Sequence, residues 1–209
     1  MYRPTLFQED NLEKLVAFMQ ANSFATLVSI VDGVPFATHI PFVVSVDGDV
    51  VKLSGHLAKQ NPQWQAFSQA ESLAIFTGAH AYVSPSLYEK RENVPTWNYI
   101  AVHAYGVPHI LTLKDSPQLM NEMIDDMIDT YEASYKPHWH DLSHSFREGM
   151  MNGIVGFEMI VSKLEGKYKL SQNRNETDQQ AVAHALLHSS DPAAQAVGQA
   201  MAQNLNLNS

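Results

Sequence analysis

The chain has 209 residues, 45% of them hydrophobic and 17% charged, a composition typical of one globular domain with a sizeable core. Its 22 acidic residues outnumber the 13 Lys and Arg, and the net charge of −9 disfavours general binding to nucleic acid, which needs a basic face. The lack of cysteine excludes disulfides, thiol catalysis and cysteine-based zinc sites. Because no apolar run is long enough to span a bilayer and the N-terminus lacks a secretory pattern, we expect a cytoplasmic protein with no membrane partner.

The N-terminal half is predicted to begin with a helix and to continue as β-hairpins. Asp10, with Glu13 three residues later, is typical of a helix start, and apolar residues at helical spacing follow. Asp-Gly pairs at residues 32–33 and 47–48 predict tight turns between strands. The other elements predicted here are strands at 24–31, 34–46, 49–54 and 72–77, a short helix at 62–69 and a long loop at 84–96.

The C-terminal half is predicted to add further strands and then helices. The strands are at 99–113, with a break near 106–108, and at 153–164. Helices are predicted to open at Ser116-Pro117, at a capping box formed by Thr177 and Gln180, and at Asp191-Pro192. Hairpins early and helices late favour an α+β fold with an antiparallel sheet or a closed barrel of about six strands. A doubly wound dinucleotide-binding fold is disfavoured, because no glycine-rich turn links alternating strands and helices.

The stretch LSGHLAKQNPQW, residues 53–64, has the composition of an anion site. Ser54, His56 and Lys59 supply donors and cations beside Asn61-Pro62, a sequence that favours a helix start. Free amides at a helix N-terminus attract phosphate, and the nearby cation would strengthen this attraction. The same residues are also typical of a capped surface helix with a solvated lysine.

A second candidate is VPTWNY, residues 94–99, at the end of the predicted loop. Trp97 offers a flat face for an aromatic ligand, and Asn98 beside it can hydrogen-bond a polar ring edge. A tryptophan buried in the core is the alternative interpretation.

The third candidate is EGKYKLSQNR, residues 165–174. In an extended chain Lys167, Lys169 and Ser171 would share one side, opposite Tyr168, Leu170 and Gln172. Such a row of donors suits a phosphate or a heterocycle. It is equally typical of a polar edge strand whose lysines prevent aggregation.

Other catalytic chemistry has little support in the sequence. His138, His140 and His144 could approach a zinc ion or a haem, but no H-E-x-x-H arrangement is present, so we predict no metal site. Ser84 and Ser86 follow a strand, yet no G-x-S-x-G motif or partner base accompanies them.

Motifs along nearly the whole chain resemble the PaiB family, FMN-binding negative transcriptional regulators with a flavin split-barrel fold. They are, in order, MYRPTLF, FATHIPF, GHLAKQNPQW, VPTWNY, VHAYG, GIVGFE and EGKYKLSQNR. Two places depart from the family pattern. Gly78-Ala79-His80 stands where Gly-Pro-His is expected, and Leu87 stands where the loop is expected to carry a tryptophan, so Trp97 remains as the loop's candidate for stacking.

The resemblance implies a six-stranded antiparallel split barrel at residues 1–175, a C-terminal helical extension at 176–209 packed on the same domain, and a homodimer with FMN in a groove between subunits. The FMN phosphate would lie at His56, Lys59 and the helix after Asn61, close to Ser54. The flavin ring would follow the strand that contains Thr38, His39 and Ile40. Trp97, Asn98, Lys169, Ser171 and Gln172 would approach the ring.

Three functions are compatible with this resemblance. The first is regulation, in which FMN or its redox state biases a conformation, and the second is a flavin-dependent reductase or oxidase. The third is haem handling, because related split barrels bind haem and the chain has 10 histidines. Direct contact with DNA would depend on a local patch between Lys163 and Arg174, since the chain as a whole is acidic.

Overall fold

A computed structural model describes residues 1–205, which form an α+β fold with antiparallel sheets. Within these residues the strands are β1 (Gln8–Glu9), β2 (Phe24–Val31), β3 (Val34–Pro41), β4 (Val43–Asp47), β5 (Val50–Ala58), β6 (Ser72–Val83), β7 (Thr96–Gly106), β8 (Pro108–Leu111), β9 (Ile154–Ile160) and β10 (Lys163–Lys169). The α-helices are α1 (Leu12–Ala21), α2 (Pro117–Glu132), α3 (Lys136–Asp141), α4 (His144–Met151), α5 (Glu176–Leu187) and α6 (Pro192–Asn204). Short 3₁₀ helices lie at Thr5–Phe7, Pro62–Ala66, Pro85–Leu87 and Ala133–Tyr135.

The strands form one sheet of order β1-β10-β7-β6-β2-β3 and a second of order β4-β5-β9-β8. The chain divides into two compact units that interleave in sequence. The terminal unit contains Met1–Asn11, Thr77–Val102 and the chain from Glu165 onward, and the central unit contains Leu12–Phe76 and His103–Leu164. None of the helices in the described residues combines the length and apolar character that a membrane crossing requires.

The central unit is built around buried aromatic rings. The ring centroid of Phe157 lies 6.0 Å from that of Phe42 and 5.1 Å from that of Phe67, in edge-on arrangements that aromatic pairs favour. Helix α2 packs over the second sheet at Gly156, where a Cβ atom would come within 2.9 Å of the sulfurs of Met120 and Met123. Glycine at this position therefore lets the helix approach β9 closely.

The terminal unit contains segments from both ends of the described chain. β1 pairs antiparallel with β10, with Gln8 opposite Lys167. The Lys167 side chain is buried, donates to the Tyr2 carbonyl at 3.1 Å and lies 5.2 Å from the centre of the Tyr99 ring. Helices α5 and α6 pack against each other, and the Asp178 carboxylate of α5 accepts a hydrogen bond from the Glu89 amide at 2.9 Å.

Several local predictions are confirmed. β2 spans the predicted residues, and Asp32 and Gly33 adopt φ of 51° and 78°, the left-handed conformation of a tight hairpin turn. The predicted break after Gly106 separates β7 from β8. Asp191 caps α6 as predicted, because its side chain accepts from the Ala193 amide at 2.9 Å.

Other local predictions are wrong. Helix α1 begins at Leu12, and the Asp10 carboxylate accepts from Arg3 at 2.7 Å instead of capping it. Asn175, and not Thr177, caps α5, with its side chain accepting from the Asp178 amide at 2.7 Å. Both errors are small shifts at a helix boundary, where sequence-based assignment is least precise.

Longer elements also differ from prediction. The strand predicted at 34–46 is two strands, because the chain leaves the first sheet at the buried residue Phe42, whose amide bonds the Ser23 carbonyl at 2.9 Å. Helices α3 and α4, which contain the histidines at 138, 140 and 144, were not predicted. They have only 6 and 8 residues, which is too short for hydrophobic periodicity to distinguish a helix reliably.

The contact between α5 and α6 predicts the effect of adding one methyl group at Gly198. A Cβ atom there would lie 2.6 Å from the Leu187 amide nitrogen, a backbone atom that has little room to move. We expect Gly198→Ala to lower the free energy of unfolding by about 1–3 kcal/mol through overpacking. Urea denaturation followed by circular dichroism measures the change.

Gly149 of α4 is the matched control, because nothing lies within 4 Å of a Cβ atom built there. Gly149→Ala should leave the free energy of unfolding unchanged or raise it by up to about 1 kcal/mol, since alanine loses less backbone entropy on folding. Equal losses in both variants would contradict the close helix packing.

Candidate functional site

The side chain of Gln63 joins the segment after β5 to the β2–β3 hairpin. It is fully buried, and its Nε2 donates to the Leu27 carbonyl at 2.9 Å and to Ser29 Oγ at 3.1 Å. Its Oε1 accepts from Thr38 Oγ1 at 2.5 Å. These bonds satisfy the buried amide and fix the turn relative to the hairpin.

Asn61 completes this arrangement. Its Oδ1 accepts from the Gln63 amide at 2.9 Å, and its Nδ2 donates to Thr38 Oγ1 at 2.9 Å. The prediction that Asn61 caps the next helix is confirmed. We refer to Thr38, Lys59, Asn61 and Gln63 as the Lys59 corner.

The helix after Asn61 offers fewer free amides than predicted. The element at Pro62–Ala66 is a 3₁₀ helix of five residues, shorter than predicted. Pro62 has no N–H, and the Gln63 N–H is already bonded to the Asn61 side chain. The first two residues of this helix therefore offer no free amide to an anion, which leaves the Lys59 side chain as the stronger candidate.

The exposed cationic group of the corner is the Lys59 ammonium. The backbone of Lys59 is fixed at both ends, with its amide bonded to the Gly153 carbonyl at 2.9 Å and its carbonyl accepting from Trp64 Nε1 at 2.9 Å. His39 is exposed on β3, whereas Ile40 next to it is buried in the core. β3 is an edge strand of its sheet, so the backbone groups along its outer edge are not paired within that sheet.

Ser54 and His56, which were also predicted to bind the phosphate, lie on β5 and are less exposed than Lys59. Ser54 is buried, at a position paired with Val43 on β4 and Glu158 on β9. His56 lines an apolar pocket of about 390 Å³ under α2, and its Nδ1 lies 3.4 Å from Met127 Sδ. Burial lowers the pKa of His56 below its ordinary value, so the pocket disfavours the charged imidazolium that would attract a phosphate.

The terminal unit brings Trp97 and Lys169 together. The Trp97 indole is about half exposed, with the rings of His80 and Tyr82 each 6.0 Å away. Lys169 Nζ donates to Thr96 Oγ1 at 2.6 Å and to the Trp97 carbonyl. Trp97 is thus not the core residue that the alternative interpretation suggested.

Positive charge accumulates around Lys169. Burial, together with the charges of Lys167 and Arg174, lowers the pKa of Lys169 below its ordinary value. A group of cations that destabilise one another in this way is stabilised by a nearby anion.

The remaining predicted site residues, Asn98, Ser171 and Gln172, form hydrogen bonds within the protein. Asn98 is fully buried, and its Nδ2 donates to Ser171 Oγ at 2.8 Å, while its Oδ1 has no hydrogen-bond partner among the described residues. Ser171 does not continue the predicted extended row, because β10 ends at Lys169 and Ser171 has φ of 67°. Gln172 folds back, donating to the Tyr168 carbonyl at 2.5 Å.

Two of the three clustered histidines are paired with carboxylates, and His138 lies against the ring of Tyr135. His140 Nε2 lies 3.4 Å from Asp125 Oδ2, and His144 Nδ1 lies 3.3 Å from Glu148 Oε2. Within residues 1–205, no three His, Asp or Glu side chains are grouped so that they could hold a metal ion.

The residues present fit FMN in their chemistry. A phosphate needs a cation, and Lys59 provides an exposed one on a fixed backbone. An isoalloxazine ring needs a flat apolar face and hydrogen-bonding partners at its edge, which Trp97 and the outer edge of β3 offer in their respective units. Sequence reasoning missed Gln63, whose role depends on burial that no local pattern signals.

Comparison with known proteins identifies the family. Residues 1–163 match the model of a family described as "Putative FMN-binding domain". Protease synthase and sporulation protein PAI 2 of Bacillus subtilis is 41% identical over 208 residues, covering 98% of each chain.

Solved structures agree on the fold. The flavocytochrome Anf3 of Azotobacter vinelandii superposes with a TM-score of 0.63 at 16% identity, over 85% of this chain and 77% of that chain. The FAD and heme binding protein of Mycobacterium smegmatis gives 0.59 at 14% identity, over 83% and 78%. The family match and the identity to the Bacillus protein together show that the chain belongs to the PaiB-like family of FMN-binding proteins, with FMN as its cofactor.

Proposed function

We propose that this chain is an FMN-dependent regulatory protein, in which bound FMN biases the conformation presented to a partner. The observation that carries the proposal is the Lys59 corner, where a buried amide fixes an exposed cation beside β3 in a chain of an FMN-binding family. The regulatory part draws on the Bacillus relative, which is named for protease synthesis and sporulation. Gene regulation would place the protein in the cytoplasm.

The FMN phosphate is proposed to bind Lys59, with the flavin ring following Thr38, His39 and Ile40 on β3. Lys59 is exposed, and both its amide and its carbonyl are bonded, so its ammonium is the free part of the residue. The proposal leaves out Ser54, which is buried, and His56, which faces the apolar pocket. FMN binding is assigned to residues 1–175, and the family match over residues 1–163 supports this.

Trp97 and Lys169 are proposed as a separate flavin-contacting group of the terminal unit. The half-exposed indole offers a stacking surface, and the cations around Lys169 favour an anionic ligand. Asn98, Ser171 and Gln172 would support this group through their contacts within the protein.

The protein is proposed to form a homodimer through the β2–β3 hairpin. Phe24, Ile30 and Val34 are 70%, 50% and 63% exposed, and all three lie on this hairpin. Phe24 and Ile30 share one face of the hairpin, and Val34 lies on the other face beside the turn. Exposed large apolar side chains of this kind are typical of a segment that associates with another chain, and an interface that encloses the hairpin would cover all three. FMN held between two subunits would then link ligand binding to assembly.

Direct binding to DNA is disfavoured by the contacts of the basic residues near the C-terminus. Lys167 lies between two tyrosine rings, Lys169 bonds the Trp97 carbonyl, and Arg174 stacks 4.2 Å above the ring of Tyr88. Side chains held in this way do not form the exposed basic face that phosphate backbones require. A protein partner is therefore the proposed target of regulation.

The phosphate assignment predicts that Lys59→Ala weakens FMN binding by tenfold or more, since a charge-assisted hydrogen bond contributes about 1.5–3 kcal/mol. Titration of FMN followed by flavin fluorescence measures the affinity. Lys90→Ala is the matched control, because Lys90 is also exposed but lies in the 84–96 loop. Equal affinities in the two variants would refute the phosphate assignment.

The dimer proposal predicts that Val34→Glu converts the protein to monomers, because the new carboxylate would be buried without a partner in the interface. Sedimentation velocity distinguishes the two states. Val94→Glu is the control, at a valine that is 70% exposed in the 84–96 loop. If the Val34 and Val94 variants sediment alike, the hairpin is not the interface.

The regulatory proposal predicts that FMN slows amide hydrogen exchange in β3 and residues 59–66, and that reduced FMN gives a different pattern. If the flavin serves to bias a conformation, the protein does not need to accelerate hydride transfer, so we expect no oxidation of NADH or NADPH beyond that of free FMN. Unchanged exchange combined with FMN-dependent turnover would instead favour a flavin-dependent oxidoreductase.

A further inference from the structure

The central unit contains a concave site, the α2 pocket, formed by one face of α2 with residues of α3, α4, β5 and β9. Its volume of about 390 Å³ lies in the range of small-molecule sites. Tyr135, Trp139 and the sulfur-containing side chains of Met127, Met150 and Met151 line it. Aromatic rings and polarizable sulfur atoms favour a flat, apolar ligand.

His56 is the residue of β5 that lines this pocket, and its ring is polar. The hydrogen-bond contact of the ring indicates which of its two nitrogens can bind a ligand. Within residues 1–205, the one hydrogen-bond contact of the ring joins Nδ1 to Met127 Sδ at 3.4 Å. A thioether can accept a hydrogen bond but cannot donate one, so Nδ1 carries the proton. In the neutral ring Nε2 is then an acceptor, open to a donor group of a molecule in the pocket.

The charges around the pocket also restrict the ligand. Its lining contains no Lys or Arg, and Glu132 contributes a carboxylate. The Tyr131 hydroxyl is engaged elsewhere, lying 2.8 Å from the Phe42 carbonyl and 2.9 Å from Ser23 Oγ. An anionic ligand would therefore find no cationic partner, whereas a neutral ligand avoids the carboxylate.

We propose that the α2 pocket binds a neutral, flat, largely apolar molecule with one O–H or N–H donor, of the phenol or indole class, and that His56 Nε2 accepts its hydrogen bond. This site is separate from the proposed FMN site, which uses the Lys59 corner. Its ligand is a second small molecule to which the regulatory protein responds.

The test uses two ligands that share a ring system. Calorimetric titration of the FMN-loaded protein with 2-naphthol and 2-methoxynaphthalene compares a donor with its methylated counterpart. We expect 2-naphthol to bind about three- to tenfold more tightly, the contribution of one hydrogen bond. In methionine-methyl NMR spectra it should shift the signals of Met127, Met150 and Met151. Equal affinities, or no shift at these residues, would overturn the proposal.

His56→Phe keeps a ring in the pocket but removes the acceptor, so the preference for 2-naphthol should disappear. His109→Phe, at an exposed histidine of β8, should keep it. If the His56 variant does not fold, the ligand pair and the methionine signals of the unaltered protein decide.

Other occupants would give distinct results, and each would overturn the proposal. Release of FMN by 2-naphthol would mean that the pocket is the flavin site. A Soret band that forms on haem addition and is lost in His56→Phe would mean that Nε2 is a haem ligand. Methionine signals that depend on protein concentration, without 2-naphthol binding, would mean that a second copy of the chain covers the pocket.

Discussion

The buried amide of Gln63 is the interaction on which the Lys59 corner depends. A carboxamide that is removed from water must replace each lost hydrogen bond, and each unsatisfied group costs about 1–3 kcal/mol. Gln63 meets this requirement with Leu27, Ser29 and Thr38, so the turn after β5 has one position relative to the β2–β3 hairpin. Lys59 precedes this turn, and its ammonium is therefore presented from a fixed backbone, which lowers the entropy lost when an anion binds.

Local chemistry made parts of the fold predictable from sequence. The Asp32-Gly33 turn and the Asp191 cap depend on neighbouring residues alone, and both form as predicted. The division of the predicted strand into β3 and β4 at Phe42 was not predictable from sequence. It depends on the chain passing from the first sheet to the second, and on the Phe42 ring packing against Phe76 and Phe157. Helices α3 and α4 were missed for a related reason: they are short, and tertiary contacts decide whether they form.

The sequence predicted which residue types the candidate site contains, but not the surroundings that each side chain faces. The sequence placed His56 and Lys59 together as cations, yet a strand side chain three residues from another need not share its surroundings. In the structure His56 faces Met127 under α2, and Lys59 is exposed beyond the end of β5. The lysines of the 163–174 segment show the same limit. Their charge suggested a surface patch, whereas Lys167 is buried between tyrosine rings.

The crystal structure of the FMN complex is the most direct test of the central claim. We expect the phosphate within hydrogen-bonding distance of Lys59 Nζ, with the hydrogen bonds of Gln63 unchanged and the flavin ring along β3. A phosphate bound away from Lys59, or a flavin ring in the α2 pocket beside His56, would contradict it.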